Sequence, residues 1–313
     1  MFGKVIITDQ ISEANTVTHG SLFHADEVFA TVILSAFMDD VRLMRVNNIE
    51  KMEISESVLV FDTGLGTYDH HQRGGNGKRK NGVPYAACGL IWRDFGKTAL
   101  EHLGIEKDLI DQTWLQMDSV LIQGIDAVDN GVMPDAEYPA SNWNISRIIN
   151  SFNPVWYQEN NETDAFLDAV SFAETVFLKC LDKVLSTVKA KAVVDQAIRD
   201  SKGQILVLDR YVPWQGAVFA NPEGRRFLFT VFPAARGGYS WQGIPVSPGT
   251  RKLRLECPSE WHGEEGEKLQ QLTGIKTAVF CHPSGFLGGC ETFEDAYAMA
   301  QLAITCASAD GNH

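Results

Sequence analysis

The segment SVLVFD, residues 57–62, is apolar from Val58 to Phe61 and ends on a carboxylate. Its interior has no polar–apolar alternation, which predicts a strand buried on both faces, central in a parallel sheet. Parallel strands need crossover connections, usually helical. The flanking sequence supplies them. NTVTH (residues 15–19) and VRLMRV (41–46) read as strands, and HADEVFATVILSAFM (24–38) is apolar at helical spacing. The expectation is an α/β fold whose ligands gather outside the carboxyl ends of the strands. Asp62 sits at such an end, and His19 at another.

Downstream, RGGNGKRKNG (73–82) reads as a mobile, solvent-exposed basic loop. Helices follow, from Cys88 to Leu103, from about Leu109 to Ile125, and from Phe166 to about Arg199, the last long enough to connect two domains. After Gly203 the texture changes. QILVLD, AVFA, RFLFTVF and TAVFCH are short strand candidates separated by turns, and a helix closes the chain at 293–306. The expected architecture is a parallel-sheet N-terminal domain with helices on both faces (1–155), a connecting helical segment (156–202) and a smaller C-terminal α/β domain (203–313).

The 313 residues are 44% apolar, enough for a sizeable core, and no apolar run reaches the length of a membrane span. The start of the chain lacks a signal-like pattern, so cytoplasmic retention is the expectation. Six scattered cysteines form no C-x-x-C pair and read as reduced, mostly buried thiols. A net charge of −13 disfavours broad binding to long nucleic acids. A local polyanion site is compatible with that charge if divalent cations invert the field there.

Four stretches carry the chemistry: THGSLFHADE (18–27) with His19, His24 and Asp26; VFDTG (60–64) with Asp62; YDHHQR (68–73) with Asp69, His70 and His71; and GIDAVDNG (124–131) with Asp126 and Asp129. Imidazoles and carboxylates without a thiolate suit Mn²⁺ or Mg²⁺, with Co²⁺ or Zn²⁺ as alternatives. The donors outnumber what one ion needs. Two ions about 3.5–4 Å apart, bridged by a carboxylate, would use them all and could activate water against a phosphoryl group.

These stretches, in this order, resemble the DHH phosphoesterase superfamily, and within it the melanocyte-proliferating-gene-like (Myg1-type) branch. HPSGFLGG (282–289) and the NPVW of residues 153–156 extend the resemblance over about residues 18–306. The resemblance implies a metal-binding N-terminal domain, a substrate-binding C-terminal domain and a 3′–5′ exonuclease acting on RNA or short oligonucleotides. Carried over residue by residue, it implies one ion on His19, His24 and Asp62, and a second on Asp26, Asp62, His70 and Asp126. Spacing alone does not separate Asp126 from Asp129. His71 would stabilise charge at the phosphate, and Asp69 would orient a histidine ring. Arg73, His282, Ser284, Gly288 and Gly289 would contact substrate. Relatives commonly place histidine after the Gly-Gly pair, where this chain has Cys290, so the second domain's grip on substrate is either weaker or supplied by His282 or an arginine such as Arg251. Apart from the resemblance, Arg73, Lys78, Arg79 and Lys80 read either as steering a polyanion toward the site or as a solvated loop tip.

The expected partner is therefore RNA, a short oligonucleotide or a small phosphodiester, with no membrane; the oligomeric state is open, a dimer included. A phosphoanhydride hydrolase, or a metal- or nucleotide-binding protein without turnover, are the alternatives.

Overall fold

A computed structural model describes residues 2–132, 143–157 and 161–309. The chain divides into two compact units, Met1–Leu185 and Ser186–His313, the division falling inside a long helix.

In the first unit, β1 (Lys4–Ile7), β2 (Thr16–His19), β3 (Asp40–Val46) and β4 (Leu59–Val60) form a parallel sheet in the order β1-β3-β2-β4. Helix α1 (Ala25–Ser35) is the crossover from β2 to β3. Thr16, Val17 and Thr18 are all fully buried, so β2 is covered on both faces. The lysine-led KVII of β1 was not read as a strand from sequence.

SVLVFD is not the central strand its composition predicts. It contributes only the short edge strand β4. The Phe61 N–H donates to the Val17 carbonyl at 3.0 Å, and the Asp62 N–H to the Tyr68 carbonyl at 2.9 Å. The segment leading into the His-His pair thus closes the outer edge of the sheet. Phe61 is fully buried, while Val58, Leu59 and Val60 are only partly so.

Helices α2 (Ala87–His102), α3 (Ile110–Met117) and α4 (Gln123–Asp129) follow, with a π-helical turn at Asp118–Ile122 joining the last two into one run. Helix α5 (Ile145–Asn150) is short, and α6 (Glu162–Asp200) is the long helix. Phe29, Ile33 and Leu34 of α1 and Leu90, Ile91 and Trp92 of α2 are fully buried. In the first half of α6, Phe166, Ala169, Val170, Ala173, Phe177, Leu181 and Val184 are buried at intervals of one to four, the apolar stripe of an amphipathic helix.

The second unit holds a mixed sheet of β5 (Ile205–Val207), β6 (Phe229–Pro233), β7 (Tyr239–Gly243), β8 (Ala278–Cys281) and β9 (Leu287–Cys290), in the order β5-β6-β7-β9-β8. Only the β5–β6 pair is parallel. Helices α7 (Gln215–Ala220), α8 (Gly266–Thr273) and α9 (Phe293–Ala309) complete it. Ala296, Met299, Ala300 and Ala303 of α9 join the core that also holds Trp241, Trp261 and Cys290. AVFA, expected as a strand, lies in α7. A four-residue apolar run carries no period of its own, and here Ala217 and Val218 turn inward on one helical face. No helix among the described residues is long and apolar enough to cross a membrane.

Candidate metal centre

The carboxyl ends of β2 and β4 and the start of α1 bring the first two stretches together. His19 ends β2. Its Nδ1 lies 2.9 Å from the Gly20 carbonyl, an acceptor only, so that nitrogen carries the proton. Its Nε2 then faces Glu27 Oε1 at 3.0 Å and Asp62 Oδ2 at 3.3 Å. Burial would push the His19 imidazolium down. The hydrogen bonds to Asp62 and Glu27 outweigh it and hold the group up to about 11. In a metal-free site Nε2 must therefore be protonated, whereas a cation in the same place would take its lone pair.

His24 is the N-cap of α1. Its backbone N–H donates to both oxygens of Glu27 at 3.0 Å, the reciprocal half of a capping box. Glu27 is fully buried and shares one donor group with His19 and His24. Sequence reasoning passed over it, although the three-residue spacing from His24 is the capping-box signal.

Asp62 follows β4 with φ +54°, a left-handed conformation unusual for a residue with a side chain. Its Oδ1 lies 3.5 Å from His70 Nδ1 and 3.6 Å from His71 Nδ1. His70 Nε2 is 2.8 Å from Asp129 Oδ2, and His70 Nδ1 is 3.8 Å from Asp26 Oδ2. Asp62 Oδ1 and His70 Nδ1 are shielded from solvent and have no hydrogen-bond partner among the described residues. Leaving such buried groups unsatisfied costs about 1–3 kcal/mol each. A cation bound by both removes that cost, so the residues fit a divalent ion.

The charges point the same way. Burial, with Asp62, Asp129 and Asp126 nearby, pushes the Asp26 carboxyl well above its usual range. Burial likewise raises Asp62 despite the His19 hydrogen bond. For His70, the pull of Asp129 and Asp62 overcomes burial and raises it. Protons stand in here for missing positive charge.

The two adjacent histidines have different surroundings. His70 is buried, while the His71 side chain is 57% exposed. Asp69 takes the His71 N–H at 3.0 Å, the Leu65 N–H at 2.7 Å and His71 Nδ1 at 2.8 Å. The His71 ring is thereby oriented with Nε2 left available. A cavity of about 870 Å³ opens over the centre, lined by His19, His24, Asp62, Asp69, His71 and Asp129 among others. Asp26, Glu27 and His70 stand behind that wall.

Asp126 has a different environment. Its Oδ2 lies 2.7 Å from Arg79 Nη1, and its Oδ1 accepts the Gly89 N–H at 2.9 Å. Asp26 accepts the Ala87 and Cys88 N–H groups at 2.8 and 2.7 Å. Both carboxylates thus satisfy the opening turn of α2. A Cβ at Gly89 would lie 1.8 Å from Asp126 Oδ2, so this approach requires glycine. Cys88 also stands near Asp26 and Asp126, but burial pushes its thiol well up, away from the thiolate a metal requires.

The basic loop needs correcting. Arg79 is buried, bonded to Asp118 through Nε and Nη2 and paired with Asp126, with the Tyr85 ring 4.3 Å from its guanidinium carbon. It cannot steer a polyanion. A bridge between Lys78 and Pro84 and the Arg79 N–H bond to Val83 order the segment as a turn rather than a free lip. Arg73, Lys78 and Lys80 are exposed, and none lines the cavity.

Asn153 of the NPVW stretch anchors the site from below. Its Oδ1 accepts the Phe23 N–H at 2.9 Å and its Nδ2 donates to the Phe23 carbonyl at 2.7 Å, one residue before His24.

In the second unit, His282, Ser284 and Arg251 share a pocket of about 430 Å³ with Gln215, Gln242 and Phe286. The Ser284 N–H donates to His282 Nδ1 at 3.1 Å. Gly288 and Gly289 lie in β9, between β7 and β8. A Cβ would meet the Trp241 indole at 2.5 Å from Gly288 and the Phe280 ring at 2.7 Å from Gly289. Cys290 is buried in the core with its Sγ 3.8 Å from Met299 Sδ.

A family model, MYG1_exonuc, described as an uncharacterised protein family (UPF0160), matches residues 15–304. The MYG1 protein of Schizosaccharomyces pombe is 28% identical over 92% of this chain and 96% of its own length. The MYG1 protein of Dictyostelium discoideum is 27% identical over 93% and 96%. The human MYG1 exonuclease is 29% identical over 92% and 85%. No solved structure matches the chain. With the match running over most of its length, the chain belongs to the MYG1 family.

Proposed function

We propose that the chain is a divalent-cation-dependent phosphodiesterase of the DHH type, a 3′–5′ exonuclease on RNA or short oligonucleotides. The observation that carries this reading is the pair Asp62 Oδ1 and His70 Nδ1, buried 3.5 Å apart without hydrogen-bond partners among the described residues. The exonuclease name of the mammalian relatives supports the activity class.

His19, His24, Glu27 and Asp62 would hold one cation, and Asp26, Asp62, His70 and Asp129 the other, Mn²⁺ suiting this donor set best. Asp129 is preferred to Asp126 because Arg79 already neutralises Asp126. The cations supply Lewis-acid activation of water and of phosphoryl oxygens. The protein's own contribution is positioning. Asp69 accepts from Nδ1 and fixes the His71 ring, so that in the imidazolium form Nε2 would donate to a phosphoryl oxygen as negative charge develops there. Asn153 and the capping box fix His24. His282, Ser284 and Arg251 support a substrate-handling role for the second unit.

The test is Mn²⁺-dependent release of mononucleotides from oligonucleotides labelled at either end, RNA against DNA. Product from the 3′ end of RNA is expected. Absence of release, together with no cleavage of dinucleotides or bis-p-nitrophenyl phosphate, sinks the reading. Phosphate release from pyrophosphate alone would favour a phosphoanhydride hydrolase.

A further inference from the structure

The cavity over the metal centre is crowded with carboxylates, an unfavourable place for an anionic substrate. Among the described residues that line it, Arg147 is the single lysine or arginine. The first unit has six arginines. Arg42 pairs with Asp40, Arg79 with Asp118 and Asp126, and Arg93 with Asp94. Arg45 donates to the Ser21 carbonyl and lies over the Phe166 ring. Arg73 and Arg147 remain, with no side-chain partner among the described residues, and of these two only Arg147 lines the cavity.

Its position is built rather than incidental. Asn144 Oδ1 accepts the Arg147 backbone N–H at 3.1 Å, and Ile149 is fully buried, pinning α5. Helix α5 packs against α1 and α4, which carry Glu27 and Asp129 respectively. The Asn153 fork onto Phe23 ties the far end of α5 to the residue before His24. Next to Arg147, Ser146 also lines the cavity. Its Oγ is shielded from solvent and has no hydrogen-bond partner among the described residues. A guanidinium without a side-chain partner among the described residues matches a phosphate, with two N–H donors for its oxygens; the Ser146 hydroxyl, shielded as it stands, reaches a further oxygen by turning about χ1.

We propose that Arg147, with the Ser146 hydroxyl beside it, holds non-bridging phosphate oxygens of the substrate in the cavity above the carboxylate–imidazole centre. The substrate class rests on the phosphodiesterase reading; the anion site itself does not require turnover.

The experiment is calorimetric titration of adenosine 5′-monophosphate into the full-length Mn²⁺-loaded protein, beside steady-state hydrolysis of a dinucleotide. Arg147→Ala should weaken nucleotide binding by roughly ten- to a hundredfold, the worth of hydrogen bonds to a charged group. KM should rise by a similar factor while kcat changes less and Mn²⁺ affinity stays at the wild-type value. Arg147→Lys should recover part of the binding, since it restores charge without the fork, and Ser146→Ala should give a smaller loss. Wild-type nucleotide affinity in Arg147→Ala overturns the proposal, as does a wild-type protein that binds no nucleotide. A wild-type protein that binds the nucleotide through Arg147 yet cleaves nothing keeps the anion site and overturns the phosphodiesterase reading instead.

Discussion

Arg79 Nη1 lies 2.7 Å from Asp126 Oδ2, a buried ion pair that ties the segment after the two histidines to α4. The same guanidinium bonds to Asp118 in the π-helical turn. Removing one partner of a buried pair leaves the other uncompensated. Arg79→Met should therefore lower stability by about 3–5 kcal/mol, measured by chemical denaturation of the metal-free protein. The double variant with Asp126→Asn should recover part of that loss, because the two side chains are in contact. A change within about 0.5 kcal/mol for Arg79→Met, the scatter expected of a surface site, would show that the pair is not formed.

Asp126 and Asp129 differ in what they already touch. Asp126 is ion-paired with Arg79 and accepts the Gly89 N–H, while Asp129 reaches His70 Nε2 and lines the cavity. Asp129→Asn should reduce Mn²⁺ affinity by roughly ten- to a hundredfold, whether it ligates the ion or backs its histidine. Asp126→Asn should leave the affinity within a few-fold of wild type. Calorimetric Mn²⁺ titrations decide this, and the reverse order would place Asp126 on the ion.

The acid–base balance of the centre sets a pH dependence. Burial raises Asp126 from 3.8 to about 7, and the Asp26 and Asp62 carboxyls also stand high. His19 stands at about 11 against 6.5, because its hydrogen bonds to Asp62 and Glu27 overcome burial. In every case the folded metal-free state binds protons more tightly than the unfolded one. Their stabilising contribution is complete at low pH, falls for the carboxyls above about 4, and falls for His19 from about 6.5 toward 11. A cation replaces those protons. The melting temperature gained on adding Mn²⁺ should thus be larger at pH 8 than at pH 6, and Mn²⁺ binding should release protons. A gain independent of pH would count against this charge balance.

Strand β3 and helices α1 and α2 were legible within a few residues, because each buries one stripe or both faces and the periodicity records it. The convergence of His19 and Asp62 was legible for a similar reason: each lies at or just beyond a strand end, whereas His70 lies in the connection that follows. Other features depend on distant partners. Nothing within RGGNGKRKNG shows that Asp118 and Asp126, about forty residues on, will bracket Arg79. Asp126 and Asp129 are three apart on one helix, close to the same face, so periodicity could not separate them. SVLVFD reads as a central strand by composition, yet at the sheet edge Val58, Leu59 and Val60 are only partly buried and Phe61 alone of its apolar residues is enclosed.

The Gly288–Gly289 pair resembled a place where backbone amides approach a phosphate, yet both glycines sit in a strand paired on two sides. Gly288 is opposite Trp241, and Gly289 is in register with Phe280. Trp241 is fully buried, with its indole nitrogen 2.5 Å from where a Gly288 Cβ would stand, so the ring has nowhere to retreat. Phe280 is only partly buried and can swing outward. Gly288→Ala should therefore lower stability by about 1–3 kcal/mol, the usual cost of overpacking a core. Gly289→Ala should cost less. Thermal unfolding of both variants, paired with the nucleotide titration, separates packing from binding. The packing account requires Gly288→Ala to be the less stable of the two with nucleotide affinity preserved in the folded fraction. Loss of affinity at unchanged stability would return these glycines to the substrate.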